Sequence, residues 1–189
     1  MEWTKEDSER LKRFRTVIDN DNTRNKEVIK EKLLQNRELI HVLNNKELEE
    51  AESEPDDYFG VNILPYYMVH PTQTNVQNFV CFETGFDEIN RYNGAIKIGQ
   101  IYFYILCEQK NLIDDETGLA RHDLLGAIVM EQFNYTNYFG KKIKCVSDKA
   151  SVVDGDYACR TLIFEQETPA DIVRTTNAQA RLYNKEVRV

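Results

Sequence analysis

The sequence predicts an α+β domain, one sheet with one main helix packed on it, preceded by a helical leader and followed by a polar tail. Three observations carry that reading. β-Branched and aromatic runs crowd the stretch from Tyr58 to Phe164, a single broad apolar helical face lies among them at Thr117 to Phe133, and about the first fifty residues are dense in charge and helix formers.

Taken in order, Trp3, Leu11, Phe14, Val17 and Ile18 recur at helical spacing over Thr4 to Asp19, with Thr4 and Asp7 forming a capping-box-like start. Asp19-Asn20-Asp21-Asn22-Thr23 reads as a turn, and a second helix runs through Val28, Ile29, Lys32, Leu33 and Leu34. Leu39, Ile40, Val42 and Leu43 make a short third helical piece, and the leader spans 1–48. Residues 49–57, the end of an acidic stretch from Glu47 to Asp57 that contains Pro55, read as an exposed linker.

The core domain is placed at 58–169. Its strands are expected at Tyr66–Val69, Val76–Glu83, Lys97–Cys107, Lys141–Ser147 and Tyr157–Glu167, and Asp154-Gly155-Asp156 is a hairpin turn between the last two. Leu124, Leu125, Ile128, Val129, Met130 and Phe133 form the apolar face of the helix. The third strand is apolar on both faces, with Ile101, Phe103 and Ile105 on one and Tyr102, Tyr104 and Leu106 on the other, so it is central and covered twice. The main helix covers one face; the N-terminal helices or a second subunit must cover the other. The extension at 170–189 is polar, with Arg174, Arg181, Lys185 and Arg188, and reads equally as a frayed surface helix or as an arm ordered by a partner.

Composition narrows the function. At 189 residues the chain can bury roughly 70% of its unfolded surface without covalent staples. With 41% hydrophobic and 30% charged residues and no long apolar run, it has neither a disordered nor a membrane composition. Twenty-four Lys+Arg against 32 Asp+Glu give a net charge of −8, which opposes whole-molecule attraction to phosphate backbones but leaves room for a local basic strip. The start, Met1 to Asp7, lacks a signal-peptide apolar region, so synthesis and residence in the cytoplasm of the producing cell are expected. Cys81, Cys107, Cys145 and Cys159 lack paired spacing and sit in apolar runs, the pattern of reduced, buried thiols.

Few constellations suggest catalysis. Arg121-His122-Asp123 joins an imidazole to an acid, but adjacent residues at a helix start point about 100° apart. It therefore reads as a solvated first turn, with Arg121 free to reach another chain. Glu108-Gln109-Lys110 after a strand matches the second half of a restriction-type nuclease signature, with Glu83 or Asp87 as candidate first acids, and is the leading enzyme alternative. Asp19, Asp21 and Thr23 mimic a calcium loop, yet Arg24 stands where Gly is needed and Lys30 where the closing acid belongs. His41, His70 and His122 fall in three separate segments. No metal or cofactor is called for. Two aromatic patches stand out instead: Tyr135, Tyr138 and Phe139 among Asn134, Thr136 and Asn137, and Tyr58-Phe59 with Tyr66-Tyr67 and the Pro71–Thr74 loop. Amphipathic rings suit protein contacts, and two such patches permit a head-to-tail ring.

The order of elements resembles the tail terminator or tail-completion proteins of tailed bacteriophages. The resemblance rests on Glu38-Leu39-Ile40-His41-Val42-Leu43, Asn62-Ile63-Leu64-Pro65, Phe79-Val80-Cys81-Phe82-Glu83 and Ile101-Tyr102-Phe103-Tyr104-Ile105. It continues through Gly118-Leu119-Ala120-Arg121-His122-Asp123-Leu124-Leu125 and the return from Asp154 to Leu162, covering about two thirds of the chain. It implies an antiparallel sheet with a helix packed against it and a non-enzymatic virion protein that forms a sixfold ring at the head–tail joint. Such a ring meets a head-closure or connector protein on one face and the tail tube on the other, and genome DNA slides through its acidic lumen without specific binding. Tyr102, Tyr104, Arg121, Tyr135 and Tyr138 are then the expected subunit contacts. The long leader and polar tail exceed the compact core of that family and leave open which neck position is occupied.

Overall fold

The computed structural model describes residues 4–12, 21–67, 78–86, 96–153 and 156–169. Helix α1 (Lys5–Lys12) is followed by α2 (Asp21–Leu34), α3 (Arg37–Leu43), α4 (Lys46–Glu50) and a 3-10 turn at Pro55–Tyr58. Strands β1 (Ile63–Leu64), β2 (Asn78–Phe86) and β3 (Ile96–Glu108) come next, then a 3-10 turn at Gln109–Asn111, α5 (Arg121–Phe133), β4 (Lys144–Val153) and β5 (Tyr157–Pro169). The sheet order is β1-β2-β3-β5-β4. Every neighbouring pair is antiparallel except β1 with β2, which run parallel. The fold is α+β, as the sequence pattern predicts.

Several boundaries move, each for a local reason. Asp21, Asn22 and Thr23, read as a turn, are the first turn of α2, where an acid favours the positive helix end. Within 46–58 the chain makes α4 and a 3-10 turn whose first residue is Pro55, a position that needs no backbone N–H. Tyr66 and Tyr67 are not in a strand; the pairing with β2 is made earlier, at Ile63 and Leu64. Lys141 to Ile143 stay outside β4 because the Ile143 N–H bonds the Thr136 carbonyl (2.9 Å) and the Ile143 carbonyl accepts from Tyr135 (2.9 Å). Helix α5 starts four residues after Thr117. The Asp114 carboxylate accepts from the Thr117 amide (2.9 Å) and hydroxyl (2.8 Å), and Gly118 turns the chain at φ +70°. Trp3, Phe14, Val17 and Ile18 of the first expected helix, Met68 and Val69 of the first expected strand, the Asp154-Gly155 turn and the 170–189 extension lie outside the described residues.

The larger correction concerns layering. On β3, Ile101, Phe103 and Ile105 join Val80, Phe82, Leu162 and Phe164 in a core cluster that also contains Leu125, Val129 and Phe133 of α5. The same cluster holds Ile29 and Leu33 of α2 and Leu39 and Leu43 of α3. Helices α2 and α3 therefore share the face that α5 covers, and do not supply the second cover expected on the other. Phe103 is central, with ring centroids 5.1 Å from Phe133 and 5.6 Å from Phe164. The opposite face carries a smaller cluster of Leu64, Phe79, Cys81, Leu106 and Cys159, rimmed by Tyr104 and Tyr157. All four cysteines are free thiols, three of them buried.

Three buried asparagines weld the helical corner to the sheet edge. Asn36 and Asn45 cap α3 and α4 through the amides of Leu39 (3.0 Å) and Leu48 (3.3 Å), and Asn44 ends α3 in the left-handed region. The Asn45 side-chain amide then donates to Asn62 (2.7 Å), Asn62 donates to the Asn78 carbonyl (2.9 Å), and Asn78 donates to the Leu43 carbonyl (2.9 Å). The Asn62 carbonyl accepts from Val80 (2.8 Å), continuing the β1–β2 pairing. Replacing Asn62 by Ala strands a buried donor on Asn45 and a buried carbonyl on Asn78, and is expected to cost about 3 kcal/mol of unfolding free energy in urea titrations. A loss below about 0.5 kcal/mol contradicts a structural role for this chain of bonds.

Candidate interaction surfaces

The Arg121-His122-Asp123 triplet opens α5, but its members do different work from that expected. Arg121 is only 4% exposed; its guanidinium lies 2.8 Å from the Asp114 carboxylate and donates to the Val42 carbonyl at 3.4 Å. The expectation that it reaches another chain is therefore corrected: burial at the α3–α5 contact commits the cation to Asp114. The hydrogen bonds from Thr117, and secondarily the Arg121 charge, hold the Asp114 carboxyl below the usual carboxylate range. His122 lies 3.4 Å from the Asp123 carboxylate, but that carboxylate is gripped by Arg160, which also binds Asp148 at 2.6 Å. The hydrogen bond to Asp148 keeps the guanidinium charge of Arg160 strongly favoured.

Arg160 reaches these acids by lying across Gly126, where an added Cβ meets its Cδ at 2.6 Å. Gly126 is therefore a packing requirement inside a helix that otherwise disfavours glycine.

The Glu108/Lys110 pair does not assemble with its first candidate partner. Lys110 is almost fully exposed, 3.5 Å from Glu108. Glu83 pairs across the sheet with Tyr102, six positions along β3 from Glu108. That is about 20 Å at strand rise, far beyond a shared ion. Glu83 is bound instead to Lys26 at 2.5 Å. Asp87 lies outside the described residues. Among the described residues no group of three or more His, Cys, Asp or Glu side chains converges as metal ligands. His41 is on the surface, 3.5 Å from Glu116, and His70 is not among the described residues.

The tyrosines form two distinct surfaces. On the sheet face away from the helices, Tyr102 and Tyr104 stack with centroids 6.3 Å apart, and Tyr67 meets Tyr104 edge-on at 4.7 Å. The Tyr102 hydroxyl bonds Gln100, which donates to Glu165 at 2.8 Å. Both rings are half-buried, and desolvation, with Tyr102 and Glu83 nearby, pushes the Tyr104 phenol upward. Of the second expected patch, Tyr58 is buried in the core, whereas Tyr66 and Tyr67 are exposed; Pro71–Thr74 lies outside the described residues.

The other surface is the loop after α5. Tyr135 is 58% and Tyr138 40% exposed, while Phe139 is buried and stacks on Phe133 at 6.2 Å. The loop is held rigidly beneath its rings. Thr136 Oγ1 bonds the Phe133 carbonyl (2.8 Å), Asn134 accepts from the Cys145 amide (2.9 Å), and Tyr135 takes a left-handed φ of 61°. Lysines join it: Lys142 lies 5.2 Å from the Tyr135 ring centroid and Lys32, from α2, 4.9 Å from that of Tyr138. Sequence reading found the rings but missed Lys32, which only the α2–α5 packing brings to them.

A family model described as YomW matches residues 36–166, from the cap of α3 to the last third of β5. No curated protein matches the chain. Among the described residues no helix is long and apolar enough to cross a membrane.

Two outcomes follow from the polar contacts of α5. Arg121→Met leaves the Asp114 carboxylate buried without its cation and is expected to cost roughly 3–5 kcal/mol at neutral pH, measured by urea unfolding. Because the folded-state pKa of Asp114 is depressed, its contribution is fully present above about pH 4, its unfolded value, and is lost as pH falls through the lower folded value. Asp114→Asn should flatten that acid limb of the stability profile; an unchanged limb contradicts the assignment. Separately, Gly126→Ala should be destabilising in the native background and stabilising by about 0.5–1 kcal/mol once Arg160→Ala has cleared the space.

Proposed function

Since this chain belongs to the YomW family, which is phage-associated, we propose that it is a structural protein of a tailed-phage particle that forms a sixfold ring at the head–tail joint. In this role it caps the tail tube on one face and docks on the neck or connector on the other. It is made in the host cytoplasm and incorporated into the virion. The work is assembly, with no bond chemistry.

The observation that carries the reading is the loop at 134–143. Its backbone is tied down by hydrogen bonds to α5 and to the start of β4, yet it turns Tyr135 and Tyr138 outward. Exposed aromatic rings on a pre-organised support lose little side-chain entropy on docking, which is what a stable protein contact needs. The tyrosine row on the outer sheet face supplies a second and different surface. A contact between two unlike surfaces closes into a ring when its rotation divides a full turn. A net charge of −8 supports a lumen that repels DNA and lets the genome slide past without specific binding.

Quantitative mass spectrometry of purified particles, counting this chain against a twelvefold portal, is expected to give a fixed ratio of about one half. Absence from particles overturns the reading. In the same system, Tyr135→Ala combined with Tyr138→Ala should leave the urea midpoint of the isolated protein near its native value. The pair should nevertheless reduce the yield of joined, infectious particles at least tenfold, because both rings are exposed and available to a partner. Particles assembling at native yield would remove these rings from the interface.

A further inference from the structure

Charge is spread unevenly over this acidic chain. Residues 134–146 contain Lys141, Lys142 and Lys144 and no acid, and Lys32 adds a further cation above Tyr138. The aromatic loop is thus a basic surface on a molecule of net charge −8. The opposite sign concentrates at 47–57, where seven carboxylates occur without one cationic residue, among them the exposed Glu49, Glu50 and Glu52. In the cleft beside Glu54 and Asp56, Lys30 and Arg37 are offset by the further acids Glu27 and Glu31, so the segment keeps its negative sign.

The two surfaces occupy opposite flanks of the last turns of α2. Lys30 reaches Phe59, beside the Pro55–Tyr58 turn, at 4.5 Å, and Lys32 reaches Tyr138 at 4.9 Å. Positions two apart on a helix point about 200° apart, so the helix body stands between the acidic segment and the basic loop. Their complementarity is not satisfied within one chain, whereas a head-to-tail neighbour brings them together.

We infer that the Tyr135–Lys144 loop docks against the acidic 47–57 segment of a second copy of this chain. The inference rests on the ring reading above for closure of the ring and deepens it by giving the loop the acidic segment, in place of the outer-face tyrosine row, as its complement. Exposed rings flanked by lysines also suit phosphates and bases. The acidic segment is favoured because every copy carries both complementary surfaces in equal number. Electrostatics then sets the direction of assembly, since like faces repel and only head-to-tail encounters are attractive.

Charge reversal on the full-length chain tests this by sedimentation velocity at low salt. The native protein should associate with rising concentration, and less so as salt screens the contact. Lys141→Glu/Lys142→Glu/Lys144→Glu and Glu49→Lys/Glu50→Lys/Glu52→Lys should each weaken association at least about tenfold. An equimolar mixture of the two variants should recover it, because each reversed surface then meets its complement on the other protein. That recovery also shows that both variants are folded. A native protein that stays monomeric up to its solubility limit, association untouched by either reversal, or a mixture that fails to recover overturns the contact. A short DNA duplex is the control ligand: binding abolished by the lysine reversals, with association unchanged, gives the loop to nucleic acid instead. Particles with the expected copy number but insensitive to both reversals retain the ring and discard this contact.

Discussion

The buried asparagine chain from Asn45 through Asn62 to Asn78 is the constraint on which the arrangement of layers depends. Each member stands at a junction: Asn45 at the start of α4, Asn62 just before β1, and Asn78 at the first residue of β2. All three are nearly or wholly inaccessible, so every unmade bond there would carry the full desolvation cost of an amide. The network therefore favours one docking of the helical corner on the sheet edge. Because Asn78 returns to the Leu43 carbonyl, that docking also places the end of α3, and with it the apolar stripe of α2 and α3 on the face that α5 already covers.

A second polar tie meets the first at the end of α3. Arg121 couples the start of α5 to Asp114 and to the end of α3, so the C-terminal end of α3 is held by the Asn78 amide at the Leu43 carbonyl and by the Arg121 guanidinium at the neighbouring Val42 carbonyl. The phenylalanine cluster around Phe103 belongs to the same core as the apolar residues of α2 and α3. The polar groups add little attraction beyond what water offered them. Their effect is selection, since alternatives that break these bonds strand further buried groups beyond Asn78 Oδ1 and Arg121 Nε, which already lack partners, and are penalised by several kcal/mol.

With α2, α3 and α5 on one side, the two faces of the sheet acquire different characters. The covered face is phenylalanine and aliphatic. The other carries tyrosines, of which Tyr102 reaches Gln100 through its hydroxyl and, through it, Glu165. The helix layer likewise divides the charge, acidic beside α4 and basic beyond α5. A chain of such polarity has unlike surfaces to offer, and unlike surfaces are the raw material of directional assembly.

Much of this was legible from residues alone. β3, β5 and α5 follow from periodicity, since Ile101 to Leu106 alternate cleanly and Leu124 to Phe133 repeat at helical spacing, and both patterns are local. The Tyr135–Phe139 loop was likewise visible as a surface feature. What sequence could not decide is which side of a sheet a remote helix joins, because an amphipathic stripe specifies that it is buried and not against what. That choice fell to contacts between distant residues, Asn45 with Asn62 and Asn78, and Arg121 with Asp114. The same distance effect turned Arg121 from an outward cation into a buried one, moved the first strand pairing from Tyr66 to Ile63, and brought Lys32 to Tyr138. Local pattern determined the elements; the matching of buried polar groups far apart in the chain determined their arrangement.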